Sequence, residues 1–203
     1  MSKLHHRILE ISKQLRLSHL GSCLTSVDII DEIYRHKRPD EPFILSSGHA
    51  GLALYVVLER YLGLNAMELF KRFGTHPDRC MECGIWCSTG SLGHGLGIAL
   101  GMALANRNRN VYCLVSDGEC FEGSVWEAAN VIEKYNVTNL KLHLNFNGWS
   151  AYDGVSELMC MKIQSIFPDI IVHRTKVEDY GLKGLTAHYV KICEGNLGKI
   201  YSN

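Results

Sequence analysis

The sequence predicts an α/β fold, doubly wound, with a mainly parallel sheet that carries helices on both faces. Two short apolar runs, residues 111–116 and 140–146, have the length and composition of buried parallel strands. A helical pattern over residues 124–135 separates them, which is the crossover that a βαβ unit requires. A further short apolar run at residues 43–46 also precedes a helical pattern.

The elements before this unit follow from periodicity and end signals. Residues 4–17 repeat apolar side chains at helical spacing, and Ser26 is a candidate N-cap for a second helix over 27–36. After the strand at 43–46, Gly63 ends a predicted helix over 50–62. The last elements before the unit are a short helix over 66–73, a long loop over 74–90 and a helix that begins near Ser91.

Glycine is unusually dense in the helix that follows Ser91, with Gly93, Gly95, Gly97 and Gly101 interleaved among apolar residues. This density weakens an isolated helix but lets another backbone approach closely. We therefore expect this helix to be buried, at a contact between subunits.

The signal is weaker after the βαβ unit. A helix over 159–166 and a third parallel strand over 170–173 complete the predicted sheet, and residues 183–189 are a loop without a clear pattern. The sequence shows no internal repeat and no linker, so we expect one domain over 1–203.

Charge and hydropathy exclude several classes of function. The 203 residues include 21 basic and 21 acidic side chains, whereas nucleic-acid and anionic-membrane binding need a clustered basic excess. No apolar run approaches the roughly 18–20 residues of a membrane span, and no apolar segment typical of a signal peptide follows Met1. We expect a cytoplasmic protein that binds neither nucleic acid nor membrane.

Eight cysteines raise the question of disulfides and metals. Without an export signal, disulfides are not expected. His76, Cys80, Cys83 and Cys87 could in principle hold zinc, but their spacing is loose for such a site. The sequence favours a reduced, metal-free loop.

The most informative residues are the polar ones at the two strand ends, Asp117-Gly118 and Asn147-Gly148. Either pair alone would be an ordinary tight turn. Neighbouring strand ends in such sheets form the crevice where ligands bind, and carboxylate and amide oxygens suit Mg²⁺. Together they predict a site for a divalent cation carrying a diphosphate.

Ordered motifs over about residues 7–155 resemble those of the transketolase family. The stretch from Ser116 to Ala128, closed by Asn147-Gly148, is similar to that family's thiamine-diphosphate motif. Four upstream segments resemble its histidine and glycine loops: Ser18-His19-Leu20-Gly21, Phe43-Ile44-Leu45-Ser46-Ser47-Gly48-His49-Ala50, Gly74-Thr75-His76-Pro77-Asp78 and Thr89-Gly90-Ser91-Leu92-Gly93-His94-Gly95. The resemblance implies a thiamine-diphosphate-binding fold.

The resemblance also implies roles for the matched residues. The metal, Mg²⁺ or in its place Ca²⁺ or Mn²⁺, would be bound by Asp117, by the side chain of Asn147 and by the main-chain carbonyl of Trp149. For thiamine diphosphate, the family pattern implies diphosphate contacts from Gly118 and His49, backbone contacts to the aminopyrimidine from Gly90, Ser91 and Leu92, and a link between subunits through Glu122. Donor-sugar contacts are implied for His19 and His76 and, where the flanking residues match poorly, for His188.

Departures from the family pattern concern both residues and length. Ser116 replaces the usual first glycine, Trp86 stands where an acidic residue is common, and His94 where glutamine is common. The tail after Gly154 is shorter than usual, and 203 residues leave no room for a pyrimidine-binding domain with its activating glutamate. We therefore expect a separate partner subunit that carries the pyrimidine and C-terminal domains, in a two-plus-two assembly.

The resulting hypothesis is the N-terminal subunit of a split transketolase-like enzyme. Such an enzyme transfers a two-carbon ketol unit from a ketose or ketose phosphate to an aldose. Two alternatives remain open. One is another thiamine-diphosphate carboligase, of the 1-deoxyxylulose-phosphate synthase type or a specialised sugar-biosynthesis transferase. The other is a non-catalytic cofactor-binding subunit.

Overall fold

The computed structural model describes residues 1–191 and contains a four-stranded parallel sheet. Its strands, in spatial and chain order, are β1 (Phe43–Leu45), β2 (Val111–Ser116), β3 (Leu140–Phe146) and β4 (Ile171–Arg174). Val111 lies opposite Leu140 and Ser116 opposite Asn145, so β2 and β3 end at the same edge of the sheet. The predicted α/β fold with a parallel sheet is confirmed.

Helices surround this sheet. Within the described residues they are α1 (Lys3–Leu15), α2 (Leu20–His36), α3 (Gly51–Leu62), α4 (Ala66–Phe73), α5 (His94–Ala105), α6 (Gly123–Lys134), α7 (Glu157–Ile166) and α8 (Thr186–Tyr189). Short 3₁₀ turns lie at Gly48–Ala50, Met81–Cys83, Gly118–Phe121 and Val177–Tyr180.

Both faces of the sheet are covered, as the sequence predicts. Helices α1 to α4 pack on one face with Phe43, Leu45 and Leu114, while α5, α6 and α7 pack on the other with Cys113 and Val115. Successive strand residues point to opposite faces, so a strand buried on both sides must be apolar throughout. This explains why the amino-acid sequence of β2 is a nearly continuous apolar run.

The boundaries of several elements match their predictions, and two predictions are wrong. Residues 183–189, expected to be a loop, contain the short helix α8. The strand at 111–116 and the helix ended by Gly63, whose φ is 69°, are confirmed. The second helix, however, begins at Leu20, and Ser26 lies buried inside it and is not its N-cap. The reason is tertiary packing, because Leu20 and Leu24 are fully buried in the core below α2.

The glycine-rich helix α5 is buried on one side only. Leu96, Ala99 and Leu100 are in the core, whereas Gly97 and Gly101 are exposed and nothing would meet a methyl group placed on either. The expected burial of the whole helix is therefore wrong for the isolated chain. The expected contact with another subunit stays a prediction.

The expectation of reduced cysteines is wrong for one pair, since Cys80 and Cys83 are joined by a disulfide. The 3₁₀ turn at Met81–Cys83 brings them together, with the Cys83 N–H donating to the Cys80 carbonyl at 3.0 Å. The zinc alternative also fails, because the disulfide removes the thiolates of Cys80 and Cys83, and neither His76 nor Cys87 lies with them. Across residues 1–191 no helix is both long and apolar enough to cross a membrane.

Candidate functional site

A polar cleft of about 180 Å³ opens at the edge where β2 and β3 end. Parallel strands direct their carboxyl ends to this edge, which is the usual position for ligands in such sheets. The cleft is lined by His19, Ser22, Ser26, Ser47, His49, His76, Gly90, Leu92, Ser116, Gly118, Asn145, Asn147, Trp149, Ser150, Ala151 and His188. Residues from widely separated predicted motifs therefore meet in one place.

Asp117 joins the ends of the two strands. Its side chain is 1 % exposed, and its Oδ2 accepts the N–H groups of Asn147 at 3.0 Å and Gly148 at 2.7 Å. Its Oδ1 accepts the Gly118 N–H at 3.0 Å. Burial raises the pKa of Asp117 to about 7, although the backbone hydrogen bonds act in the opposite direction.

The donor atoms at this position fit a divalent cation. No basic side chain of residues 1–191 forms an ion pair with Asp117, so its buried charge has no cationic partner there. Oδ1 accepts a single hydrogen bond and keeps a lone pair, as does Oδ1 of Asn147, which accepts the Trp149 N–H at 2.9 Å. Carboxylate and amide oxygens of this kind are ligands that Mg²⁺ prefers.

Three histidines form a cluster on the other side of the cleft. The ring centroids of His19 and His188 lie 4.5 Å apart, those of His49 and His188 5.3 Å, and those of His19 and His49 5.6 Å. His188 therefore lies beside both other histidines, although the sequence around it matches the family only weakly. Its main-chain carbonyl accepts the His19 N–H at 2.8 Å.

These histidines are neutral near pH 7. Burial, assisted by His188, lowers the pKa of His19 to about 4 and that of His49 to about 3. The His188 carbonyl also lies 3.3 Å from Nδ1 of His19. Because a carbonyl can only accept, Nδ1 of His19 carries the proton and its Nε2 is left as an acceptor.

A hairpin formed by residues 76–90 closes a third side of the cleft. Near its tip Cys80 and Ile85 exchange two backbone hydrogen bonds of 2.9 Å. Nearer its base the Thr89 N–H donates to the Pro77 carbonyl at 3.1 Å. At the base, Gly90 has a φ of 154°, and a methyl group placed on it would lie 3.2 Å from the His76 ring.

Sequence reasoning missed several residues of the cleft lining, among them Ser22, Ser47 and Asn145, and it missed Glu119 close by. Glu119 is completely buried in the 3₁₀ turn after β2, and burial raises the pKa of its carboxyl. The thiamine-diphosphate motif contains it, but the family pattern implied roles there only for Asp117, Gly118 and Glu122. A carboxylate next to a buried strand was the available signal, yet two of its three partners, Ser46 and Gly93, lie far away in the sequence.

Three predicted site residues do not line the cleft in the single chain: Asp117 is buried between Ser116 and Gly118, which do line it, and two others are exposed. Glu122 is exposed at the N-cap of α6, and Ser91 is exposed in the turn before α5. The side chain of Glu122 lies against Gly93, so these two segments are neighbours. The implied role of Glu122 as a link between subunits stays a prediction.

The fold and the cleft define a parallel α/β domain with a polar ligand site at its strand ends. Residues 11–167 match the family described as "Transketolase, thiamine diphosphate binding domain". The chain belongs to this family.

Curated relatives include proteins named as transketolase subunits. The chain is 31 % identical over 176 residues to an apulose-4-phosphate transketolase subunit of Phocaeicola vulgatus, covering 77 % of this chain and 62 % of that protein. It is 33 % identical over 141 residues to the 6-deoxy-6-sulfo-D-fructose transketolase subunit SqwG of a Clostridium species, covering 60 % and 51 %. The chain thus spans less than two thirds of the length of these relatives.

Solved structures agree on the fold. The transketolase from Leishmania mexicana superimposes with a TM-score of 0.64 at 21 % identity, over 82 % of this chain and 31 % of that one. At this identity the similarity concerns the fold alone.

Proposed function

We propose that this chain is the N-terminal, cofactor-binding subunit of a transketolase-like enzyme that transfers a two-carbon ketol unit. The donor would be a ketose or ketose phosphate and the acceptor an aldose. The observation that carries the proposal is Asp117, a buried carboxylate without a cationic partner among residues 1–191, bonded to the next strand end. The names of two relatives, both transketolase subunits acting on sugar derivatives, support the same reaction class.

The cofactor in this proposal is thiamine diphosphate with Mg²⁺, or Ca²⁺ or Mn²⁺ in its place. Asp117 and the Asn147 side chain, together with the Trp149 carbonyl, would hold the metal. Gly118 and His49 would contact the diphosphate, and the backbone of Gly90, Ser91 and Leu92 the aminopyrimidine. When bound, the cofactor supplies a nucleophilic carbon and an electron sink for cleaving the bond beside a ketose carbonyl.

The histidines would handle the hydroxyl groups of the sugar. Because His19 is neutral with its proton on Nδ1, its Nε2 can accept a proton or a hydrogen bond from a donor hydroxyl. His188 lies within reach of the same group, and His76 lines the cleft from the hairpin. Neutral imidazoles also avoid placing positive charge beside one another in a confined space.

The proposal includes a partner subunit. Residues 1–203 would form one cofactor-binding domain, and a separate chain would supply the pyrimidine-binding and C-terminal domains in a two-plus-two assembly. The exposed Glu122 would then be buried at the contact between subunits. The subunit names of the relatives support this arrangement, and a cytoplasmic location is proposed from the sequence alone.

Reconstitution with the chain encoded by a neighbouring reading frame tests the proposal. We expect ketol transfer from a ketose donor that requires thiamine diphosphate, Mg²⁺ and both chains. Asp117→Asn should weaken Mg²⁺-dependent cofactor binding about tenfold or more, since it removes an anionic ligand and turns an amide group toward backbone N–H donors. Calorimetry measures the binding, and a coupled assay measures the transfer.

The control is Asp153→Asn, which changes an exposed carboxylate in the adjacent loop. It should leave both binding and transfer near the wild-type values. Equal cofactor affinity of Asp117→Asn and wild type would refute the metal site. Use of pyruvate and refusal of ketoses would instead indicate the 1-deoxyxylulose-phosphate synthase type, and binding without any turnover would indicate a non-catalytic subunit.

A further inference from the structure

Glu119 is the most deeply buried carboxylate near the cleft, and the proposed function gives it no role. Its side chain has no exposure to solvent. A buried carboxylate is costly unless its oxygens are satisfied by hydrogen bonds. The hydrogen bonds of Glu119 therefore indicate what its burial achieves.

Each oxygen of Glu119 accepts one backbone N–H and one hydroxyl. Oε1 accepts the Ser46 hydroxyl at 2.6 Å and the Gly93 N–H at 2.9 Å. Oε2 accepts the Ser116 N–H at 2.9 Å and the Ser116 hydroxyl at 3.3 Å. Within the described part of the chain the group is bonded to two backbone N–H groups and two hydroxyls, so both of its oxygens are in use.

The three partners belong to three different segments of the site. Ser46 follows β1 and precedes the turn with His49, Gly93 follows the Gly90–Leu92 backbone, and Ser116 precedes Asp117. One carboxylate is thus bonded to three segments that carry proposed cofactor contacts: the turn with His49, the Gly90–Leu92 backbone and the end of β2 with Asp117. Ser116, which departs from the family's usual glycine, contributes both its backbone and its side chain to the arrangement.

We propose that Glu119 is a positioning residue that fixes the His49 turn, the Gly90–Leu92 backbone and Asp117 relative to one another. It lies behind the cleft and does not line it. Since both of its oxygens are already bonded to protein donors, it acts through these segments and makes no contact with cofactor or substrate. The proposal about cofactor affinity rests on the proposed function, whereas the proposal about backbone order does not.

Glu119→Gln tests this with a side chain of the same shape. Because each oxygen accepts a backbone N–H, the amide NH₂ of glutamine must face one of those two donors in either orientation. We expect faster amide hydrogen exchange at Gly93 or Ser116 in the cofactor-free chain, by about tenfold or more. We also expect cofactor affinity in the reconstituted enzyme to fall by about tenfold or more.

Asn139→Asp is the matched control. It replaces a buried amide by a carboxyl group, which is the opposite of the change made in Glu119→Gln. The Asn139 side chain is 8 % exposed and donates to the carbonyls of Ala103, Asn106 and Arg109, at the opposite end of β3. It should lower stability while leaving cofactor affinity and exchange at Gly93 unchanged. A merely structural role for Glu119 would make the two variants behave alike, and that result would overturn the proposal.

Ser46→Ala keeps the test decisive if Glu119→Gln does not fold. It removes one hydroxyl donor and leaves the Gly93 N–H bond in place. A fall in cofactor affinity of about threefold supports the proposal, and an unchanged affinity overturns it. If the wild-type enzyme itself binds no cofactor, the proposed function fails, while amide exchange still decides the role of Glu119.

Discussion

At the scale of single residues, the site combines buried ionisable groups whose pKa values move in opposite directions. Burial lowers the pKa of His49 to about 3 and raises that of Asp117 to about 7. Both shifts have the same cause, because a poorly solvated environment disfavours the charged form of each group. In the cofactor-free chain both groups are consequently close to neutral in mildly acidic solution.

The pH dependence of stability follows from these shifts. Between pH 6.5 and about 3, His49 takes up a proton in the unfolded chain and not in the folded one, so acid favours unfolding there. Asp117 has the opposite sign, because between about 7 and 3.8 the folded chain holds the proton. Replacing either residue should therefore change how steeply the free energy of unfolding varies with pH. The direction of the change is set by the pKa shift of the residue that is replaced.

We predict that His49→Gln loses less stability than wild type when the pH falls from about 7 to about 5. The reason is that the variant no longer has a group that is protonated only on unfolding. Urea unfolding of the metal-free chain at the two pH values measures the difference. Asp117→Asn should lose more stability than wild type over the same interval. An equal loss of stability in all three proteins would contradict the pKa shifts of His49 and Asp117.

The sequence predicted Asp117 and Asn147 because their signal is local. A polar residue followed by glycine at the end of an apolar strand can be recognised without knowing what lies opposite. Glu119 could not be recognised in this way, since its partners Ser46 and Gly93 lie 73 and 26 residues away. Whether a carboxylate is buried depends on such distant partners.

At the scale of elements, the hairpin of residues 76–90 connects the cysteine pair to the cleft. Its base packs so closely on the 3₁₀ turn at Gly48–Ala50 that a methyl group on Gly48 would lie 2.6 Å from the Thr89 carbonyl carbon and 2.7 Å from the Gly90 nitrogen. These are backbone atoms, which a side-chain rotation cannot move. The absence of a Cβ at Gly48 therefore allows the base of the hairpin to pack directly against the 3₁₀ turn.

We predict that Gly48→Ala lowers the free energy of unfolding by about 1–3 kcal/mol because the hairpin base must shift. Cofactor affinity should fall as well, since Gly90 and His76 move with that base. Gly123→Ala is the control, because nothing lies within 4 Å of the added methyl group. Denaturant unfolding and calorimetry give the two quantities, and a Gly48→Ala protein as stable as the control would contradict the predicted clash.

Element prediction succeeded where periodicity was strong and failed where tertiary contacts decide. The helix over 50–62 carries an apolar run and a glycine stop, and the structure has it at Gly51–Leu62. The start of α2 contains Gly21 and Ser22, which resemble a loop in isolation. Packing of Gly21 against Ala187 and burial of Leu24 make that segment helical.

At the scale of the whole molecule, α5 exposes two glycines on its outer face. Gly97 and Gly101 are exposed on it, together with Ile98, which is 38 % exposed. Exposed glycine in a helix costs stability in the isolated chain, because alanine would favour the helix more. Such a surface is therefore better explained by a contact that needs close backbone approach.

We predict that Gly97→Ala raises the stability of the single chain by about 0.5–1 kcal/mol and that Gly97→Glu leaves it folded. In the reconstituted enzyme, Gly97→Glu should prevent assembly because a long charged side chain would be buried without a partner. Sedimentation velocity on the mixed subunits measures this, with the exposed-loop variant Asp153→Asn as reference. Normal assembly of Gly97→Glu would show that α5 faces solvent, and the contact between subunits would then have to lie on another surface.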